Sequence, residues 1–235
     1  RLSIIIPHYN SPNLLENLIK SIPDNPEIQV IIGYDHSDAE SNNLLKVIKK
    51  KYKSRNILFL ENDPNKKSAG ACCNKGLEYA KGKWVLFADA DDYFLKDFWG
   101  IIEEYLNSHA EVVFFKPTSV ELDSGKPSDR HIFLVDLLND YLNNPGLETE
   151  NRLRYFFVNP YSKLIKLEFI KKNNILFDEV IAANDVMFST KVGFFMENFI
   201  VSEKEIYCIT KSKGSLTTSL DEDKFDARVN TYIKQ

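Results

Sequence analysis

The chain has 235 residues, 43% hydrophobic and 27% charged, enough for one substantial α/β domain with a filled core. A net charge of −4 gives nothing to a nucleic-acid partner, no apolar run approaches the length of a membrane span, and the first residues carry no secretory pattern. Three cysteines, two of them adjacent, make neither a zinc-ligand spacing nor a disulfide framework, so a reducing, cytoplasmic setting is expected. Because the chain opens at Arg1 rather than Met, a short N-terminal piece is expected ahead of it.

Short apolar runs alternate with helical patterns through the first half. Leu2 to Ile6 predicts a buried strand. Ser11 and Pro12 then start a helix carrying Leu14, Leu15, Leu18, Ile19 and Ile22 at helical spacing. Val30 to Ile32 is a second strand, followed by a helix through Leu44, Leu45 and Ile48. Ile57 to Leu60 is a third strand, and a helix from about Ala71 to Ala80 is expected to stop at Gly82 as its C-terminal cap. Trp84 to Ala88 is a fourth strand. A helix with Phe98, Ile101, Ile102 and Tyr105 precedes a fifth at Val112 to Phe115. This alternation implies a mostly parallel sheet with right-handed crossovers. Pro117 to Arg130 is polar and reads as a loop or hinge, with two or three helices and a late strand at Glu205 to Thr210 beyond it.

The fourth strand ends in Asp89-Ala90-Asp91-Asp92, three carboxylates in four residues. Ligands of open α/β sheets sit at the carboxyl ends of strands. Carboxylates crowded there titrate upward unless they share a cation, and hard oxygen ligands suit magnesium or manganese. The alternative is an exposed acidic turn capping the next helix. The first strand runs into Pro7-His8-Tyr9-Asn10, where Tyr9 either stacks on a nucleobase or packs. The second runs into Asp35-His36-Ser37-Asp38, where Asp35 is placed to accept from a base edge and Ser37 or Asp38 to cap the next helix. Small residues from Ser68 to Gly76 permit close approach either to a ligand or to the sheet. Asp185, ahead of a helix with an apolar face, is either its N-cap or a general base.

In this order and spacing the segments resemble the family-two glycosyltransferases over nearly the whole chain. The segments that carry the resemblance are Leu2 to Asn10, Asp35-His-Ser37, Ser68 to Gly76 with Phe87 to Asp92, and Asn159-Pro-Tyr-Ser-Lys163 with Phe177-Asp178 and Asn184-Asp185. The resemblance implies a GT-A fold: α/β, with a Rossmann-like, mostly parallel central sheet flanked by helices. Residues 1–117 would form a nucleotide-sugar half and residues 118–235 a smaller, mixed acceptor-binding half of one continuous domain. It implies a donor site of Pro7, Tyr9, Asn10, Asp35, Ser37, Asn74, Asp89 and Ala90. Tyr9 and Asp35 would hold the base, usually uracil, and Asp89 the nucleoside. Asp91 would bind manganese or magnesium, and Asp185 would be the catalytic base. The partners implied are a nucleotide-sugar donor and a saccharide or lipid-linked saccharide acceptor, in cell-surface polysaccharide or glycolipid synthesis.

Two positions depart from the family pattern. Cys73 replaces the usual arginine before Asn74, and Asn184 the usual glutamate before Asp185, leaving Asp178 and Glu179 as reserve bases. The chemistry is nonetheless coherent. A diphosphate leaving group needs its charge neutralised, which a metal supplies, and one base deprotonates the acceptor hydroxyl for an inverting displacement. A dinucleotide oxidoreductase would want Gly-x-Gly-x-x-Gly where the chain has Pro7 to Asn10. A haloacid-dehalogenase-like phosphatase would carry its Asp-x-Asp on an early strand, not the fourth. A non-catalytic nucleotide-sugar-binding module remains the third alternative. Arg152, Arg154, Lys163, Lys166, Lys171 and Lys172, interleaved with aromatics, form either a solvated helix face or a peripheral contact with the inner face of the cell membrane.

Overall fold

The computed structural model describes residues 1–35, 37–212 and 222–235. Its first half follows the alternation: β1 (Leu2–His8), α1 (Pro12–Ser21), β2 (Ile28–Tyr34), α2 (Ala39–Lys51), β3 (Ile57–Glu61), α3 (Ala69–Tyr79) and β4 (Trp84–Phe87). Pro12 opens α1, where a missing N–H is no loss. Asp38 caps α2 by accepting from Ser41 N–H at 2.8 Å, and Ser68 caps α3 by accepting from Ala71 N–H at 3.1 Å. The second half holds β5 (Tyr93–Phe94), α4 (Phe98–Glu103), β6 (Val112–Glu121), α5 (Ile132–Asn143), α6 (Leu147–Phe156), β7 (Lys163–Lys166), α7 (Leu167–Lys172), α8 (Val186–Phe195), β8 (Phe199–Lys211) and α9 (Glu222–Lys234).

The described strands form one sheet in the order β3-β2-β1-β4-β7-β6-β8-β5. From β3 to β4 every pairing is parallel, so the carboxyl ends of β1, β2 and β4 open on one edge. Beyond β4 the sheet is mixed: β7 runs antiparallel to β4 and β6, β6 parallel to β8, and β5 antiparallel to β8. Core side chains such as Ile4, Trp84, Phe87, Phe114, Phe157 and Phe188 are almost wholly buried between sheet and helices.

Three local expectations are corrected. Pro117 does not end a strand: β6 continues to Glu121, with register shifts against β8 on both sides of Lys116, and such a bulge tolerates a residue without an N–H. Residue 117 therefore lies inside a strand. Gly82 is not a left-handed cap. Its N–H donates to Ser3 Oγ at 2.9 Å, and a Cβ there would lie 2.5 Å from the Ser3 nitrogen, so glycine is demanded by close approach to β1. The basic stretch from Arg152 to Lys172 is not one solvated face. Lys163 and Phe157 are buried, Arg152 pairs with Asp140, and Arg154 pairs with Glu150 and donates to the Gly193 and Met196 carbonyls. Among the described residues no helix is long and apolar enough to cross a membrane.

Candidate active site

A cavity of about 550 Å³ lies at the carboxyl ends of β1, β2 and β4 and is closed from the other side by the second half. This is where open α/β sheets bind ligands, and its size suits a small molecule. Pro7, Tyr9, Asp35, Asp89, Ala90, Asp91 and Asp185 all line it.

Tyr9 is 59% exposed, with its ring open to a partner rather than packed. Asp35 is 7% exposed; its N–H donates to the His8 carbonyl at 3.0 Å, and its Oδ1 accepts from Asn62 Nδ2 at 2.6 Å. Asn62, itself buried after β3, also donates to the Lys66 carbonyl. The Cys72 thiol, also on the cavity wall, hydrogen-bonds the same carboxylate. Asn10 and Ser37 serve each other instead of the wall. Asn10 N–H donates to Ser37 Oγ at 3.1 Å, and Asn10 Oδ1 accepts from Asp38 N–H at 3.0 Å, tying the ends of β1 and β2 together. His36, from the same segment, lies outside the described residues.

Asn74 is also absent from the wall. Its Oδ1 accepts from Phe177 N–H at 2.9 Å and its Nδ2 donates to the Phe177 carbonyl at 3.0 Å. Gly70 on the same helix approaches so closely that a Cβ would lie 2.2 Å from the Asp178 carbonyl oxygen. Among the small residues of α3, Gly70 grips the segment that leads to Asp185, while Ala69, Cys72 and Cys73 line the cavity. Cys73 is buried and burial pushes its thiol well above the usual range, so it supplies no charge in place of the arginine expected there. Two arginines line the cavity from elsewhere: Arg130, after β6, and Arg228, on α9.

Burial raises the carboxylates of the wall, and for Asp89 its neighbours add to it. Burial, then the charges of Asp91 and Asp185, push Asp89 up to about 7 against the pull of Arg130. Burial also raises Asp91 and Asp185, the latter partly offset by its own backbone N–H and the Lys163 charge. Asp185 stands at the N-cap position of α8 without the usual side-chain capping bond, its carboxylate drawn instead to its own N–H and that of Val186. Neither reserve base lines the cavity, and Glu179 is paired with Lys66 at 3.0 Å. His8, buried below β1's end, is pushed down to about 4 by burial and brings no positive charge.

A wall with more carboxylates than cations suits a hard divalent ion. Among the described residues no set of three or more His, Cys, Asp or Glu side chains is placed to hold a metal alone. The residues fit an ion that takes one or two carboxylate oxygens and completes its shell with phosphate and water, as magnesium and manganese commonly do.

Residues 3–182 match the model of glycosyl transferase family 2. The chain is 26% identical over 229 residues to the poly(ribitol-phosphate) beta-N-acetylglucosaminyltransferase TarS of Staphylococcus aureus, covering 93% of this chain and 37% of that protein. It is 28% identical over 220 residues to a poly(ribitol-phosphate) beta-glucosyltransferase of Bacillus spizizenii, covering 91% of this chain and 33% of that protein. It thus spans little more than a third of the length of these curated relatives. The crystal structure of S. aureus TarS 1–349 in complex with UDP-GlcNAc shares the fold, with a TM-score of 0.76 at 24% identity, covering 100% of this chain and 66% of that one.

Proposed function

The chain belongs to glycosyl transferase family 2, and from that premise we propose that it transfers a sugar from a uridine-diphosphate donor to an acceptor hydroxyl, with inversion, in the synthesis of a cell-wall polymer. One observation carries this reading. A single cavity sets Tyr9, Asp35, Asp89 and Asp91 from the parallel half against Asp185 from the second half. Donor groups and a base thereby face the same space.

Tyr9 stacks on the uracil, and the Asp35 carboxylate accepts its ring N–H. Ala90 and Pro7 give the nucleoside small, close walls, with Asp89 at the ribose. Asn10, Ser37 and Asn74 act from behind, as braces of the loops that carry these groups. Asp91 would hold the divalent ion, manganese or magnesium, which when bound neutralises charge on the diphosphate as a Lewis acid. Arg130 and Arg228 supply fixed positive charge on the acceptor side. Asp185 takes the proton of the acceptor hydroxyl as that oxygen bonds to the anomeric carbon. The anomeric carbon's bond to the diphosphate breaks, and the nucleoside diphosphate leaves with the electron pair. A positioned base of this kind contributes about a hundred- to ten-thousand-fold. The names of the relatives support a polyol-phosphate or saccharide chain as the acceptor class, and arginines on the wall suit a phosphate-bearing one.

Thermal-shift screening of nucleotide sugars with and without manganese tests the reading. A UDP-sugar that stabilises the protein only with manganese is the expected result. A purine nucleotide that stabilises more than any pyrimidine one contradicts the base pocket.

A further inference from the structure

The turn carrying Asp89 and Asp91 is held from one side by β8. Asp92 N–H closes the turn on the Asp89 carbonyl at 3.1 Å. The Asp92 side chain is buried and both its oxygens are occupied: Thr210 N–H donates to Oδ1 at 2.7 Å, and the Tyr207 hydroxyl donates to Oδ2 at 2.8 Å. The same Tyr207 oxygen accepts from Asp89 N–H at 2.8 Å, and Thr210 Oγ1 donates to the Asp91 carbonyl at 2.8 Å. Asp89 and Asp91, like Asp92, line the cavity. The backbone of the turn and its third carboxylate are thus fixed by β8.

Tyr207 is 0% exposed and cannot touch a donor. Its ring is locked by stacking on Tyr161, with centroids 5.2 Å apart and planes at 17°, and by an edge contact with Phe94 at 5.4 Å. The hydroxyl is therefore a fixed point. It pins in one position the Asp92 carboxylate, which lines the cavity beside the pair and is raised by burial and by the charges of Asp89 and Asp91. Without it, a buried carboxylate oxygen and a buried N–H in the turn lose their partners together.

We propose that Tyr207 is a positioning residue for transfer, acting with Thr210 to set the turn on which Asp91 offers its carboxylate to the cation and the diphosphate. This rests on the reading of Asp91 as the cation's ligand. Partners in the shell behind a metal ligand are worth about ten- to a hundredfold in metal affinity. The effect should therefore appear in binding, without any turnover.

The experiment is titration of manganese, followed by its paramagnetic resonance, into the UDP-saturated parent and the Tyr207→Phe, Thr210→Val and Thr210→Ser variants, with UDP affinity also measured in chelator. Tyr207→Phe should weaken manganese binding at least about tenfold while leaving cation-free UDP affinity within about twofold. Thr210→Val should lose less, and Thr210→Ser, which keeps the hydroxyl, should restore the parental value. If Tyr207→Phe does not fold, the Val and Ser pair decides by the same readout. Parental manganese affinity in both Tyr207→Phe and Thr210→Val, with a parent that clearly binds manganese, overturns the positioning role alone. A parent whose UDP complex takes up no manganese overturns the reading of Asp91, and this proposal with it.

Discussion

The two halves of the cavity place their groups by different means. On the side of β1, β2 and β4, position follows from parallel strands. Each strand ends at the same edge, and Tyr9, Asp35 and the Asp89–Asp92 turn are simply what comes next. On the other side, Asp185 sits on an irregular segment. Ala183 has φ 56° and Ser162, before β7, has φ 57°. That segment gains its definition from α3: Asn74 pairs with Phe177, Gly70 touches Asp178, and Lys66, just before α3, pairs with Glu179. On the proposed reading, the parallel half places the donor groups directly and the base at second hand. Damage to strand ends should fall on donor binding, and damage to the α3 contact should fall on transfer.

The largest effect expected on the donor side is from Asp91→Asn. It should abolish metal-dependent donor binding, and chelation should do the same to the unchanged protein. Calorimetry giving equal UDP affinity with and without divalent ions would break the assignment. On the other side, Gly70→Ala forces a carbon toward the Asp178 carbonyl, and α3 or the segment must move. A displacement of about 1 Å costs on the order of a hundredfold in transfer. Donor affinity should change little, and a parental transfer rate would show that the α3 contact does not set the base.

A smaller effect is expected at Asp35. Asp35→Asn keeps an oxygen for Asn62 but turns an amide toward the uracil N–H, leaving a buried donor without an acceptor. That costs roughly 1–3 kcal/mol. UDP affinity should fall accordingly, whereas cytidine diphosphate, whose ring nitrogen accepts there, should lose less. Equal losses for both nucleotides would remove Asp35 from the base pocket.

The smallest effect is a pH dependence in the second half. Lys163 is 1% exposed, its ammonium donates to the Phe157 carbonyl and lies 4.8 Å from the Phe157 ring centroid, and burial pulls it down to about 7 against the Asp185 charge. A lysine lowered in the fold is charged in the unfolded chain and neutral in the native one between about 7 and 10.5, so its burial penalty is complete below 7 and lifts as pH rises through that window. Relative to Lys163→Met, the parent should gain melting temperature from pH 6 to pH 9. A constant difference would mean that Lys163 keeps one charge state throughout.

The same contrast decides what was legible in the sequence. The strands of the parallel half announced themselves as apolar runs bounded by caps, and the acidic turn followed from its place after a buried strand. Asp38 was readable as a cap, with Ser37 as the alternative, because it stands just before a helical pattern, whereas Ser68 was read only as the start of a run of small residues. The second half hid more. β7 is four residues, two of them lysines, and β5 is two residues, neither long enough to show a period. Pro117 looked like a break because the bulge that accommodates it exists only in the pairing with β8. Asn62, Arg130 and Tyr207 were invisible as site residues. Each reaches the site or its supports through a tertiary contact, and no local pattern marks such a contact. The pairing of Asn74 with a backbone 103 positions away was unreadable for the same reason.

The central claim is that donor binding and proton removal belong to opposite walls of one cavity, and Asp185→Asn tests it most directly. The exchange keeps shape and an oxygen for the Val186 N–H while it removes basicity. Donor affinity, melting temperature and single-turnover transfer should be measured on this variant and on the parent. The account requires unchanged donor affinity and stability with transfer lowered at least about a hundredfold. Transfer at near the parental rate, with the donor bound as before, would contradict it.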